Sequence, residues 1–256
     1  MMGIILAGGN GTRLRPLTNV TNKHLLPIYN KPMIYYPLET LKALGIKHIT
    51  IVTGREFAGD FADLFGDGSA FDVNLTYKVQ EGALGIAHAV GLVEHIAKDT
   101  PIIVILGDNI FMLDENDELK KVKSLVEEFQ KNPDGAVLFV KRVDDPWRFG
   151  VVDIKSDGKI AGIEEKPKKP KSKYVATGLY MYDNTVFDRI RSLRPSHRNE
   201  LELTDVNNSY ISDGKLKYHI LEGNWTDAGT FESLHRASIL AKRMAANDAG
   251  TKDGDW

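Results

Sequence analysis

Three cations, Arg13, Arg15 and Lys23, follow a glycine turn, Gly8-Gly9-Asn10-Gly11. Two aspartates stand far downstream, in Leu106-Gly107-Asp108-Asn109 and Trp225-Thr226-Asp227-Ala228-Gly229-Thr230. Glycines after a strand let backbone N–H groups approach a ligand closely, and such loops hold phosphate through main-chain donors. Pro16 and Pro27 fix φ and remove donors, so the stretch is a shaped loop rather than a helix. A rigid, donor-rich, cationic loop suits a polyphosphate; the alternative is a tight connection that holds nothing. Asp108 is expected where a buried strand ends, either as a turn former or as a carboxylate placed for Mg²⁺, a hard cation that prefers oxygen. Asp227 is either a second ligand or the N-cap of the last helix.

The elements that must position these residues alternate. Gly3–Ala7 is expected as a buried strand, then a helix over Met33–Ala43 ending at Gly45, a strand over His48–Val52 and a helix over Glu56–Phe65. Asn74–Val79 alternates as a strand, Gln80–Gly85 is expected to turn, and Ile86–Ile96 is a small-residue helix. Pro101–Leu106 is an unbroken apolar run, the mark of a central strand buried on both faces. This rhythm predicts an α/β fold with a Rossmann-like, doubly wound, mostly parallel sheet, in which ligands bind beyond the carboxyl ends of the strands. Gly8–Gly11, Gln80–Gly85 and Gly107-Asp108-Asn109 should then converge at one rim.

After a helix at Glu118–Gln130 the pattern shifts to strands with short links: Ala136–Lys141, Gly150–Ile154, Ile160–Glu165 and Val175–Tyr182, with a hairpin turn at Ser156–Lys159. This is an inserted, more antiparallel β-rich region that shares the sheet. Helices are expected over Asn184–Arg191, Leu203–Ser212 and Thr230–Ala246. One domain over 1–246 is expected, with halves 1–133 and 134–229, a C-terminal helix 230–246, and a disordered tail over 247–256. The charge run Glu164–Lys173 is short, broken by proline and free of aromatics, so a solvated loop is expected rather than a nucleic-acid patch.

Composition narrows the partners. A chain of 256 residues with net charge −2 has no bulk basic field for nucleic acid. The absence of cysteine excludes disulfides and Cys-ligated zinc. No apolar stretch nears the roughly 20 residues of a membrane helix, and Met1-Met2 runs straight into the first strand, so no signal peptide or membrane segment is expected and the location is expected to be cytoplasmic. The seven histidines lack ligand spacing; His88 and His95 are expected in surface or packing roles.

The string G-G-x-G-T-R-L-x-P-(x)6-K-x-L-L-P lacks the Gly-Lys-Ser/Thr of a Walker loop and is not G-x-G-x-x-G. His48–Val52 also runs into Thr53-Gly54-Arg55 rather than the acid of a nicotinamide site. With Asn22-Lys23-His24-Leu25-Leu26-Pro27 and Lys31-Pro32-Met33-Ile34-Tyr35-Tyr36-Pro37-Leu38, the chain resembles the sugar-1-phosphate nucleotidyltransferases through about Ala241, and among them those that join dTTP to glucose 1-phosphate.

The resemblance implies a nucleotide-diphospho-sugar transferase fold and Mg²⁺-dependent formation of dTDP-glucose and pyrophosphate, without a general base. A phosphate monoester is already largely dianionic at neutral pH, its second pKa being about 6. Catalysis should therefore consist of positioning and positive charge. Asp108 and Asp227 would hold the metal. Arg13, Lys23 and Lys166 would be catalytic, and Leu6, Gly8, Gly9, Gly11, Thr12, Arg13, Gln80, Gly85 and Asp108 would bind the nucleotide. Gln80 and Gly85 fall where the family reads the pyrimidine edge; an amide offers both a donor and an acceptor there. Asn109, Gly150, Glu165, Lys166, Ala176, Arg198 and Trp225 would bind the sugar phosphate. Asn199 replaces the family's usual glycine, and Val175-Ala176 are exchanged relative to its pattern. A homo-oligomer, dimer or tetramer, is implied; longer members continue past this point into helices that build a regulatory interface, so a short form is expected. The alternatives are a uridylyl- or other nucleotidyltransferase on another sugar 1-phosphate, and a non-catalytic sugar-nucleotide-binding module, which would be expected to lack Lys23, Asp108 or Asp227.

Overall fold

Apolar runs set the centre of the molecule: every side chain of Ile102–Val104 is fully buried, and Met2–Ala7 is buried throughout. The computed structural model describes residues 1–97, 99–113, 117–196 and 198–249. In chain order its elements are β1 (Met2–Ala7), β2 (Pro27–Ile28), β3 (Lys31–Pro32), α1 (Tyr35–Ala43), β4 (His48–Gly54), α2 (Ala58–Phe65) and β5 (Asn74–Gln80). Then come α3 (Ile86–Gly91), α4 (Glu94–Ala97), β6 (Ile102–Leu106), β7 (Asn109–Phe111), α5 (Glu118–Lys131), β8 (Ala136–Arg142), β9 (Gly150–Ile154) and β10 (Ile160–Glu165). The chain continues with β11 (Tyr174–Tyr182), α6 (Val186–Ser192), α7 (Leu203–Ser212), β12 (Leu216–Ile220), β13 (Trp225–Asp227) and α8 (Phe231–Ala249).

Among the described residues nine strands form one sheet, in the order β10-β9-β11-β6-β1-β4-β5, with β8 on β11 and β12 on β8. The pairs β1·β4, β1·β6 and β4·β5 are parallel, as crossover helices require. Around β11 the pairing is antiparallel, to β6, β8 and β9. One face packs on α1, α2 and α5 through Leu38, Leu41, Phe61, Phe65 and Val126. The other packs on α3, α6 and α7 through Ala89, Val90, Phe187, Val206 and Tyr210. The sheet is doubly wound, as expected.

A third, smaller core joins Leu14, Leu26, Ile28, Met33 and Tyr36 to Ile110, Met112, Ala237 and Leu240. It clamps the N-terminal loop between β7 and α8. Tyr36 is buried and donates its hydroxyl to the Ile28 carbonyl, while Tyr35 packs on Phe65 and Phe71.

Several details depart from expectation. Gln80 is the last residue of β5 rather than the first of a turn. The helix expected over Ile86–Ile96 breaks after Gly91, where α6 approaches so closely that a β-carbon would stand 3.1 Å from Ile190; glycine inside a helix is weakly held. β7, β12 and β13 were not anticipated: β7 and β13 are three-residue strands too short to show alternation, and β12 is an edge strand paired only to β8. Of the tail expected over 247–256, residues 247–249 continue α8, favoured by the alanines that precede them, and 250–256 lie outside the described residues.

Candidate active site

The carboxyl ends of β1, β5 and β6 meet at a cleft of about 330 Å³ that also takes in the junction of β6, β9 and β11. Along one edge β11 pairs with β9 at Val175 and with β6 from Leu179 onward. Between those points Ala176–Gly178 form part of the cleft wall, and the Gly178 N–H donates to Asn109 Oδ1 (3.1 Å). Asn109 Oδ1 also accepts from Trp225 Nε1 (2.7 Å), and Asn109 Nδ2 donates to Asp108 Oδ1 (2.8 Å). A single buried amide thus ties three segments of the site together.

The ribbon β7·β13 pairs Asp227 with Asn109, and the Ala228 N–H donates to the Asp108 carbonyl. Aspartates 119 positions apart (227 − 108) are thereby neighbours across two short strands. Each has a cation. Lys23 Nζ lies 2.5 Å from Asp108 Oδ2, and Arg148 Nη2 donates to both Asp227 oxygens at 2.9 Å. Burial pushes the Asp108 carboxyl up, but the Lys23 charge, aided by the Asn109 amide, holds it well below the usual carboxylate range. Asp227 Oδ2 also accepts from the Gly229 N–H and from Ser233 Oγ. Asp227 does not cap α8: Thr230 and Ser233 bond reciprocally at that end.

Lys23 reaches Asp108 by crossing the glycine turn, and a β-carbon on residue 9 would stand 3.2 Å from Lys23 Cε. Beneath the turn His24 is enclosed, 1% exposed, with Nδ1 2.7 Å from Asn22 Oδ1, an acceptor, so Nδ1 carries the hydrogen. Burial, and then the Lys23 charge, lower its pKa to about 3. The unfolded chain binds a proton at His24 near pH 6.5, whereas the folded chain refuses it down to about pH 3, so stability falls as pH drops through that window. Urea titrations between pH 7.5 and 5 should lose about 1.4 kcal/mol per pH unit on the acid side. His24→Asn should flatten that slope, and an equally steep slope in the variant would contradict the assignment.

On the opposite wall Lys166 takes the left-handed conformation (φ +45), unusual for a side chain of its size and a mark of local constraint. Its N–H donates to the Phe149 carbonyl, and its Nζ lies 3.3 Å from Glu165 Oε1. Glu165 Oε2 accepts from Thr204 Oγ1 (2.8 Å). Arg198 is held by Glu202 through Nε and Nη2, with Glu200 and Glu165 within 4 Å. Asn199 has φ +59, the region where asparagine is the best substitute for glycine. That is why the glycine expected there is dispensable.

Of the residues singled out in the sequence, Leu6, Gly8, Gly9, Arg13, Lys23, Gln80, Gly85, Asp108, Asn109, Gly150, Glu165, Lys166, Ala176, Arg198, Trp225 and Asp227 all line the cleft. Gly11 and Thr12 do not: Gly11 makes the left-handed turn before the short helix Thr12–Leu14, and its carbonyl accepts from Thr18 Oγ1. Sequence reasoning missed Arg148, Thr204, Tyr180 and Glu202, which also line it. For Arg148 the available signal was its place two residues before the site glycine Gly150. His88, half-buried in α3, lies with its Nδ1 3.0 Å from Gln80 Nε2, a contact its place in the sequence did not signal.

Among the described residues no group of three or more His, Asp or Glu side chains is arranged to hold a metal. Asp108 and Asp227, on the wall of one cleft, nevertheless suit a hard divalent cation, which one or two carboxylates can hold while substrate oxygens and water complete its shell. No helix among the described residues is long and apolar enough to cross a membrane.

The sequence profile of the nucleotidyl transferase family matches residues 2–243. The chain is similar to the glucose-1-phosphate thymidylyltransferase of Neisseria meningitidis serogroup A, 43% identical over 95% of this chain and 83% of that protein. The enzyme of the same name from Mycolicibacterium smegmatis is 46% identical over the same shares. A solved structure from Bacillus anthracis, assigned as a glucose-1-phosphate thymidylyltransferase and crystallised with sucrose, is 51% identical with a TM-score of 0.87, covering 94% of this chain and 96% of that one. A UDP-glucose pyrophosphorylase complexed with UDP-glucose, 24% identical with a TM-score of 0.83 over 95% of this chain and 98% of that one, shares the fold.

Proposed function

Because the chain belongs to the nucleotidyl transferase family, we propose that it transfers the thymidylyl group of dTTP to glucose 1-phosphate, giving dTDP-glucose and pyrophosphate. The observation that supports this most is the gathering of Arg13, Lys23, Lys166 and Arg198 with Asp108 and Asp227 around one cleft. That set answers the difficulty of the reaction, which is to bring a dianion to the α-phosphorus of a polyanion.

The Gly8-Gly9 main chain, Arg13 and Lys23 hold the triphosphate, with Gln80 and Gly85 at the base. Lys166 and Arg198 take the sugar phosphate, while Glu165 accepts from sugar hydroxyls beside Gly150. The phosphate oxygen of the sugar ester bonds to the α-phosphorus as the bond to the bridging oxygen breaks, and pyrophosphate departs with that electron pair. No proton moves, so no side chain acts as acid or base. Asp108 and Asp227 would hold Mg²⁺, which when bound neutralises charge on the reacting phosphates. The nucleotide half, 1–133, and the sugar-phosphate half, 134–229, then meet where β6 pairs with β11.

The test is pyrophosphate release from dTTP, UTP, CTP, ATP and GTP against several sugar 1-phosphates, with magnesium. The highest kcat/KM is expected for dTTP with glucose 1-phosphate. Preference for UTP or another sugar would favour the uridylyl or wider nucleotidyl alternative, and an inert protein would sink the proposal.

A further inference from the structure

Gln80 ends β5 at the cleft, 7% exposed. Its Nε2 lies 3.0 Å from the Gly85 carbonyl oxygen and 3.0 Å from His88 Nδ1 in α3. A carbonyl only accepts, so Nε2 rather than Oε1 must face Gly85, and that contact alone orients the amide. The position of Gly85 is itself fixed. Its φ is +99, and a β-carbon there would stand 2.4 Å from the Leu201 carbonyl, which accepts from the Ala87 N–H. With one amide hydrogen donated to Gly85, the second is directed at His88. Nδ1 therefore accepts, and the ring hydrogen sits on Nε2. Both donors of Gln80 are used inside the protein. Oε1, at the other end of the amide, faces Gly8, where a β-carbon would lie 3.0 Å from it, and both residues line the cleft.

We infer that His88 is a positioning residue for the nucleobase: it engages the second amide hydrogen of Gln80, so that this side chain meets the base as an acceptor only. The inference rests on the proposed nucleotidyl transfer and adds how the base is selected. An acceptor at this point suits a ring nitrogen that carries hydrogen, as N3 of thymine and uracil does. Cytosine, placed the same way, would set the lone pair of its N3 against the lone pairs of Oε1. Residue type alone leaves glutamine able to read either pattern; the contact with His88 removes the donor half. Without it the second hydrogen has no partner, and rotating the whole amide to offer a donor to the ligand breaks one hydrogen bond instead of two, so the discrimination weakens.

Replacement of His88 by leucine separates this role from a structural one. His88→Leu should raise the KM for dTTP about tenfold, hold kcat within about threefold, and leave the KM for glucose 1-phosphate unmoved, the size expected for one hydrogen bond. The dTTP/dCTP ratio of kcat/KM should narrow by about tenfold. His88→Asn, whose Oδ1 accepts from a similar position, should restore both. Should the leucine variant not fold, His88→Ala takes its place, alanine being the residue best tolerated in a helix. A purely structural role would lower the thermal midpoint and leave the dTTP/dCTP ratio alone; an unmoved ratio in a folded variant, or no rescue by asparagine, overturns the inference. If the wild-type protein releases no pyrophosphate from dTTP with any sugar 1-phosphate, the proposed function fails. Calorimetric binding of dTTP, UTP, dCTP and ATP then decides the role of His88. Preference for the bases bearing a ring N–H, lost in His88→Leu, sustains it, and any other pattern, including no binding, overturns it.

Discussion

Asp108→Asn is expected to lower turnover by about 10³-fold with the fold intact, because it removes one of the two anionic groups assigned to the divalent cation. Asparagine keeps the shape of the side chain, and its carbonyl can still accept from Asn109 Nδ2. What it loses is the charge opposite Lys23, whose side chain is only 14% exposed. Leaving that ammonium without its counter-ion should cost about 1–3 kcal/mol of stability. The variant should therefore melt at a lower temperature but fold to the same circular dichroism spectrum. The discriminating measurement is turnover as a function of magnesium concentration. A curve displaced to much higher metal with a depressed plateau is expected; near-wild-type turnover at the same magnesium concentration would remove Asp108 from the metal site.

Lys23→Ala should act on the other side of the same pair and leave a different signature. The kcat/KM for dTTP should fall by about 10²–10³-fold, the effect typical of deleting one charged group aimed at developing negative charge. The KM for glucose 1-phosphate should stay within about threefold, because Lys166 and Arg198 lie on the opposite wall. Loss of the lysine also leaves burial as the main influence on Asp108, so its pKa must rise. The acid limb of the pH–rate profile should move to higher pH in the variant. Ordinary dTTP kinetics together with a raised sugar-phosphate KM would show the two cations to have been assigned to the wrong substrates. Because Lys23 and Asp108 touch, the double variant should lose much less than the product of the two single losses.

The centre of the sheet was legible because β1 and β6 are buried and read as unbroken apolar runs, and β5 because it alternates. Gly150–Ile154 and Ile160–Glu165 were expected and found with the same ends, as was the helix Leu203–Ser212. The glycine turn, its cations and the two aspartates were legible as residue types at loop positions. Arg148 was not, since an arginine before a strand looks alike whether it is solvated or held, as here, by the carboxylates of Asp145 and Asp227. Nor was the orientation of Gln80, which the Gly85 carbonyl sets across the intervening turn, with His88 taking the second amide hydrogen.

From residue order alone came the doubly wound sheet, the glycine-rich, cationic loop Gly8–Lys23 and most of the charged groups around the cleft. Periodicity and glycine placement act over a few neighbouring residues, and a linear pattern records them directly. Only the tertiary structure decided that Asp227 lies beside Asp108, that Arg148 and Lys23 are their counter-ions, and which end of the Gln80 amide faces the cleft. Those outcomes rest on contacts between elements distant in the chain, and on the fact that a buried donor or acceptor must find a partner. That requirement takes effect only once the chain has closed around the group.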